Sequence, residues 1–292
     1  MGRLIRAISE NGGVVFFAVD STDIARQAEQ IHHTSAVTSA ALGRLLTAGA
    51  LMSCLLKSSR DTLTLRVQGG GPAGLLLAVA NGAGQVKGDV QNPVVELPLR
   101  PDGKLDVGGA VGRDGMLTVI KDMGLKEPYV GQIPLVSGEI AEDITQYYAV
   151  SEQIPTVCAL GVLVDRDLTV KTAGGYLLQL LPGATEEEIS RLEDNLSRMQ
   201  SVTAMLERGL RLEDIMALAM AGFAPNVLDE SQPVYACDCT RQRVERALIS
   251  LGEAELAQMA KEEKTVEVGC HFCGRTYQID PAELLADIRQ KS

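Results

Sequence analysis

Cys237-Asp238-Cys239 and Cys270-His271-Phe272-Cys273 stand near the C-terminus, separated by a charged, helix-forming stretch. Four thiols brought together by folding make a soft, tetrahedral site that suits Zn²⁺. Gly274 suits the turn of a zinc knuckle, where backbone N–H groups point at thiolate sulfur. Between the pairs, Arg241 to Lys264 reads as a helical run with Val244, Ala247, Leu248 and Leu251 on one face. Two knuckles joined by a helix converge. Ordinary structural modules use two C-x-x-C knuckles, whereas one half here is C-x-C, whose sulfurs can also oxidise to one another. Such a site can be a metal clamp in one redox state and a pair of disulfides in the other, which points to a switch. The alternative, four unrelated buried thiols, sits poorly with two tight pairs in a small terminal module. His271 could replace a thiol as ligand, but its place on the knuckle reads as exposed.

The rest of the chain bounds what that module serves. Its 292 residues suffice for one large domain and a smaller appendage, and 46% hydrophobic residues support a core. With 3% aromatics and no Trp, that core is built from Leu, Val, Ile and Ala. A formal net charge of −11 argues against nucleic acid and against an anionic membrane face. Residues 181–230 carry 4 basic and 10 acidic side chains, about half the acidic excess. Apolar runs such as Ala73 to Ala80 are shorter than the roughly 18 residues of a membrane span. Val14 to Val19, bounded by Gly13 and Asp20, reads as a strand and not as a signal segment. A cytoplasmic protein is expected, in which clustered cysteines bind metal or sense redox state.

Strands are expected at Leu4 to Ile8, Val14 to Val19, Leu63 to Val67, Leu75 to Ala80, Gln85 to Val90, Met116 to Lys121, Tyr129 to Val136, Thr156 to Val164 and Leu168 to Leu181. Helical patterning runs from Thr22 to Lys57, broken near His32-His33-Thr34, and again from Ile140 to Val150. Hairpin punctuation with segregated helices predicts an α+β fold. The division expected is a β-rich core domain at 1–182, an amphipathic helical linker at 183–230 and a small zinc-binding, redox-sensing module at 231–292. Pro182-Gly183 marks the first boundary, and Thr185-Glu186-Glu187-Glu188 has the form of a capping box. Beyond it Ile189, Leu192, Leu196 and Met199 recur at helical spacing, and Ile215, Met216, Ala219 and Met220 continue the stripe. Residues 226–234 read as a connector.

Other motifs weigh less. Cys54 and Cys158 stand alone in apolar surroundings and read as inert buried thiols, against a Cys–His nucleophile with His32 or His33. Gly69, Gly71 and Gly74 satisfy G-x-G-x-x-G, but Pro72 interrupts the loop and a strand follows where a dinucleotide site needs a helix. No G-x-x-x-x-G-K-[ST] occurs, so nothing supports ATP-driven work. Methionines 199, 205, 216 and 220 are core filler or, since thioethers adapt to many partners, part of a tolerant binding surface.

Two stretches, Val67-Gln68-Gly69-Gly70-Gly71-Pro72-Ala73-Gly74 running on to Gly88-Asp89-Val90, and Cys237-Asp238-Cys239-Thr240-Arg241 through Leu251-Gly252 to Cys270-His271-Phe272-Cys273-Gly274, resemble the heat-shock protein 33 family of redox-regulated holdase chaperones. The resemblance covers essentially the whole length. It implies a reduced, inactive form holding one Zn²⁺ per chain through Cys237, Cys239, Cys270 and Cys273. It also implies an oxidised, metal-free form that holds unfolded or oxidatively damaged client proteins without ATP, as a homodimer at least when active. The oxidised pairs it implies are Cys237–Cys239 and Cys270–Cys273; bridging across one residue strains the first and eases its reduction. Expulsion of the metal should cost the small module more stability than it holds in surplus. The linker would then loosen and bare a client surface at Ile189, Leu192, Leu196, Met199, Ile215 and Met216. Two rival classes are an enzyme with catalytic zinc, which needs an open coordination position, and a plain zinc-ribbon interaction module.

Overall fold

A turn at Asn11-Gly12-Gly13, with Gly12 at φ +74°, joins β1 (Arg3–Ile8) to β2 (Val14–Asp20) as an antiparallel hairpin. The computed structural model describes residues 2–291. Two helices follow, α1 (Thr22–His32) and α2 (Ala36–Ser53), and the break between them is His33 in the left-handed conformation at φ 51°. By length and composition α2 could cross a membrane, yet nearly all of it is buried in the protein. It is apolar on every side because it is the central helix of the core.

Next come β3 (Thr62–Gln68), β4 (Leu75–Asn81), β5 (Gln85–Val90), a single-turn α3 (Val107–Val111), β6 (Met116–Asp122) and β7 (Tyr129–Pro134). Helix α4 (Ala141–Tyr147) runs into a π-helical turn at Tyr148–Glu152, and β8 (Thr156–Val164) and β9 (Val170–Leu180) form a long hairpin. The glycine-rich loop between β3 and β4 is a steric seat. A Cβ on Gly69 or Gly71 would lie 2.4 Å from the carbonyl oxygens of Gly112 and Ala110 respectively. The strand β4 follows the glycines, so no helix N-terminus faces the loop.

The acidic stretch folds as α5 (Glu186–Ser197), α6 (Val202–Glu207) and α7 (Leu212–Ala219). Thr185 and Glu188 form the capping box of α5, the Thr185 Oγ accepting from Glu188 N at 3.3 Å and Glu188 accepting from Thr185 N at 2.8 Å. The segment expected as a connector contains two strands, β10 (Asn226–Ser231) and β11 (Val234–Tyr235). The helical run expected over Arg241 to Lys264 is broken by Gly252, at φ +99°, into α8 (Arg241–Ile249) and α9 (Glu253–Glu262). A small hairpin, β12 (Val266–Gly269) with β13 (Thr276–Ile279), and α10 (Pro281–Lys291) complete the chain.

The chain divides into two compact units, Met1–Ala236 and Cys237–Ser292. The first holds two sheets, ordered β10-β1-β2-β9-β8 and β11-β5-β4-β3-β6-β7, and every pairing in them is antiparallel except β11 with β5. This is the mixed α+β arrangement that the hairpin punctuation predicts. Helix α2 lies between the sheets, packed against Phe17 and Val19 of one and against Leu63, Leu65, Ala78 and Val86 of the other. The five-stranded sheet is covered on its opposite face too. There Ile5, Val14, Phe16, Ala18, Tyr176 and Leu178 pack with Leu192 of α5, Val202 and Met205 of α6, and Leu212 and Ile215 of α7. A strand buried on both faces has no polar side, and this is why Val14 to Val19 reads as an unbroken apolar run.

Candidate metal centre

Cys237 and Cys239 leave β11 in extended chain, and Thr240 immediately starts α8, its Oγ accepting from Arg243 N at 3.3 Å. Cys270 ends β12. The knuckle closes through Cys273 N and Gly274 N, which donate to Cys270 O at 3.3 and 2.9 Å, and Gly274 takes φ +68°. Arg241 donates to Gln278 O at 3.0 Å and ties the first helical turn to β13.

These elements bring the Sγ atoms of Cys237, Cys239, Cys270 and Cys273 within 4.8 Å of one another. The nearest pairs cross between the knuckles, Cys237 to Cys270 at 3.7 Å and Cys239 to Cys273 at 3.3 Å. A tetrahedral Zn–S₄ centre with bonds of about 2.3 Å requires sulfurs roughly 3.8 Å apart, so donor set and spacing both fit that ion. A metal held by all four sulfurs would have no open position for substrate. His271 is exposed on the knuckle.

Sequence reading missed Tyr277. Its hydroxyl lies 3.2 Å from the Cys239 sulfur and donates to Cys239 O at 3.2 Å. Burial opposes ionisation of Cys239, but the Tyr277 hydroxyl and the neighbouring thiols stabilise the thiolate and bring it down to about 7. Cys237 moves the other way, to about 12, chiefly through burial. Burial raises Cys273 as well, and a bound cation would offset that cost, since coordination deprotonates thiols outright.

The unit around the centre has a slight core: Leu248, Leu256, Ile279 and Leu284 are buried, with Val244, Met259 and Tyr277 partly so. A segment of about 60 residues is marginal without a staple.

The remaining sequence candidates lie elsewhere. Cys54 is half-buried, its thiol 3.5 Å from Ala50 O, and burial together with the Asp229 charge pushes it up to about 12. Cys158 is buried, which raises it further. Neither is a thiolate at neutral pH. His32 meets Tyr235 Oη at 3.3 Å and Asp89 at 3.6 Å. Of the linker stripe, Leu192, Ile215 and Met216 are buried against the five-stranded sheet, Leu196 and Met199 pack at its margin, and Ile189 is half-buried. Arg3 of β1, which no motif marks, clasps Glu213 of α7 and Glu230 of β10 together.

The model of the Hsp33 protein family matches residues 2–280. The chain is 49% identical over 281 residues to the 33 kDa chaperonin of Lachnoclostridium phytofermentans, covering 96% of each. It is 46% identical over 287 residues to the 33 kDa chaperonin of Clostridioides difficile, covering 98% of each. The crystal structure of the 33 kDa chaperonin (heat shock protein 33 homolog) of Thermotoga maritima matches with a TM-score of 0.91 at 35% identity, covering 99% of both chains.

Proposed function

This chain belongs to the Hsp33 family, and on that footing we propose how its four-cysteine centre controls a holdase. It is a chaperonin and not an enzyme, with a C-terminal four-cysteine cluster consistent with redox regulation. The observation that carries the mechanism is the closed ligand set, four sulfurs within 4.8 Å with no place for substrate. In the reduced chain Cys237, Cys239, Cys270 and Cys273 hold one Zn²⁺ as thiolates, which staples two knuckles and a slight core into a folded unit. Apparent binding energies of such sites run to about 10–16 kcal/mol.

Peroxide is the oxidant class that fits. A thiolate attacks the O–O bond to give a sulfenic acid and hydroxide; a second thiolate attacks that sulfur and displaces a second hydroxide. Two peroxides and four protons convert four thiolates into two disulfides and four waters. Disulfide sulfur is a poor ligand, so the staple is lost. In the reduced geometry the shortest sulfur–sulfur distances cross between the knuckles. The family resemblance implies Cys237–Cys239 with Cys270–Cys273, a pairing that leaves the knuckles free to part.

Loss of the staple frees the chain that runs back from Cys237 through β11 and β10 to the linker helices. Their release bares both Ile189, Leu192, Leu196, Met199, Ile215 and Met216 and the sheet face carrying Ile5, Phe16 and Leu178. Unfolding clients bind there without ATP, and the active form is a homodimer in the cytoplasm. The test is zinc and thiol quantitation before and after peroxide, beside an aggregation assay. One zinc and four thiols lost together as holdase activity appears is expected. Activity that rises with the metal retained would exclude the mechanism.

A further inference from the structure

The segment between the linker helices and the metal ligands supplies the outermost strand of both sheets: β10 borders β1, and β11 borders β5. The β5 border is built for more than it holds. Strand β5 runs from Gln85 to Val90, but β11 pairs only with Gln85 and Val86. Val234 N donates to Gly84 O and Ala236 N to Val86 O, both at 2.9 Å. The next rung, at Gly88, is filled by a side chain: Tyr235 Oη donates to Gly88 O at 3.1 Å and lies 3.5 Å from Gly88 N. A phenol stands where a longer strand would place a peptide group. Its ring is buried in the main core, and its hydroxyl also meets His32 Nε2.

We propose that the outer edge of β5, with the slot now filled by Tyr235, is a docking site for extended segments of unfolding polypeptides that carry an aromatic side chain. The chain's own Val234-Tyr235 is the template for that occupant, and the proposal rests on the redox-holdase reading above. A two-residue parallel strand is a weak lid. Tyr235 is two residues from Cys237, so unfolding of the metal unit removes the anchor on that side. An edge strand with unpaired N–H and C=O groups recruits another strand. A guest would restore the rungs at Gly84 and Val86 and set its own aromatic ring in the slot at Gly88, displacing β11. Main-chain pairing is largely indifferent to side chains, which is what a chaperone of many clients requires.

The probe is a fluorescent peptide with the sequence of residues 232–236, Gln-Pro-Val-Tyr-Ala, offered to the full chain in its reduced, zinc-loaded form and its oxidised form. Anisotropy should show at least tenfold tighter binding to the oxidised form. N-methylation of the Val and Ala nitrogens should cost at least tenfold, and Tyr→Ala a comparable factor. Hydrogen exchange at residues 84–88 should quicken on oxidation and slow again with peptide or with a reduced, carboxymethylated polypeptide as client. Equal binding of the N-methylated peptide, or exchange at 84–88 indifferent to both guests, would overturn strand addition. Aggregation suppression by the same oxidised sample separates the two levels. Suppression without peptide binding removes only the β5 site, whereas no suppression removes the holdase reading and this site with it.

Discussion

Ile215→Ala separates linker release from oxidation. Ile215 is 1% exposed and lies in the cluster that fixes α7 to the outer face of the five-stranded sheet. Truncating a fully buried Ile to Ala costs about 2–5 kcal/mol, from lost burial and from the cavity left behind. A central figure of ~3 kcal/mol multiplies the open population roughly 150-fold. If the linker opens locally at about 4 kcal/mol, below the global stability of a domain, its open fraction rises from ~0.1% to roughly 15%. Reduced, zinc-loaded Ile215→Ala should therefore suppress aggregation of a heat-unfolding reporter without peroxide and with its zinc retained. Hydrogen exchange across 186–219 should accelerate ~100-fold while β3 and β4 stay protected. Leu218→Ala is the control: Leu218 is 48% exposed on the same helix and should change neither. Accelerated exchange with no gain in suppression would refute the link between linker opening and client capture.

Cys270→Ser should remove most of the zinc affinity, read by metal stoichiometry; retained zinc would implicate His271. The Cys54→Ser, Cys158→Ser double variant should keep zinc content and peroxide response, with a modest fall in melting temperature from packing. Non-reducing peptide mapping after peroxide should recover Cys237–Cys239 and Cys270–Cys273; crossed pairs would contradict the proposed opening. Glu213 is held down at about 2, first by its hydrogen bond from Arg3, below the ordinary 4.5 of a free Glu. A depressed carboxylate contributes stability above its unfolded pKa and loses it as pH falls towards the folded one. Exchange across α7 should therefore quicken between about pH 4.5 and 2 in the wild-type chain, and Arg3→Ala should flatten that dependence.

What was legible in the sequence follows what holds each element. Strands β3, β4 and β5 were readable because one face alternates onto α2 and their turns carry glycine, as in the Leu63, Leu65, Val67 series. The α5 start was readable because Thr185 and Glu188 cap it by local bonds alone. Strand β10 was not, since Asn226–Ser231 is exposed throughout and carries Asp229 and Glu230. Its strand character comes from pairing with β1 and from ion pairs to Arg3 and Arg6, all distant in sequence. The cysteine spacing announced a metal centre, but no spacing announced Tyr277, whose role exists only once β13 lies beside Cys239.

The unbroken apolar run of Val14 to Val19 carries a further consequence. A two-sided apolar strand in a sheet with helices on one face implies that something must cover the other, and the cover here is the polar, strongly acidic linker. Its helices are short, and by intrinsic preference alone such helices are marginal in water. They are held by the sheet beneath and by Arg3, which joins α7 to β10. The inner face of the same sheet packs on α2 through a separate cluster that includes Phe17, Val19 and Leu177. Cover and core therefore differ in what sustains them, and a perturbation can remove one while sparing the other. The four-cysteine cluster follows the cover's last strand in sequence, and on the proposed mechanism its oxidation is what delivers that perturbation.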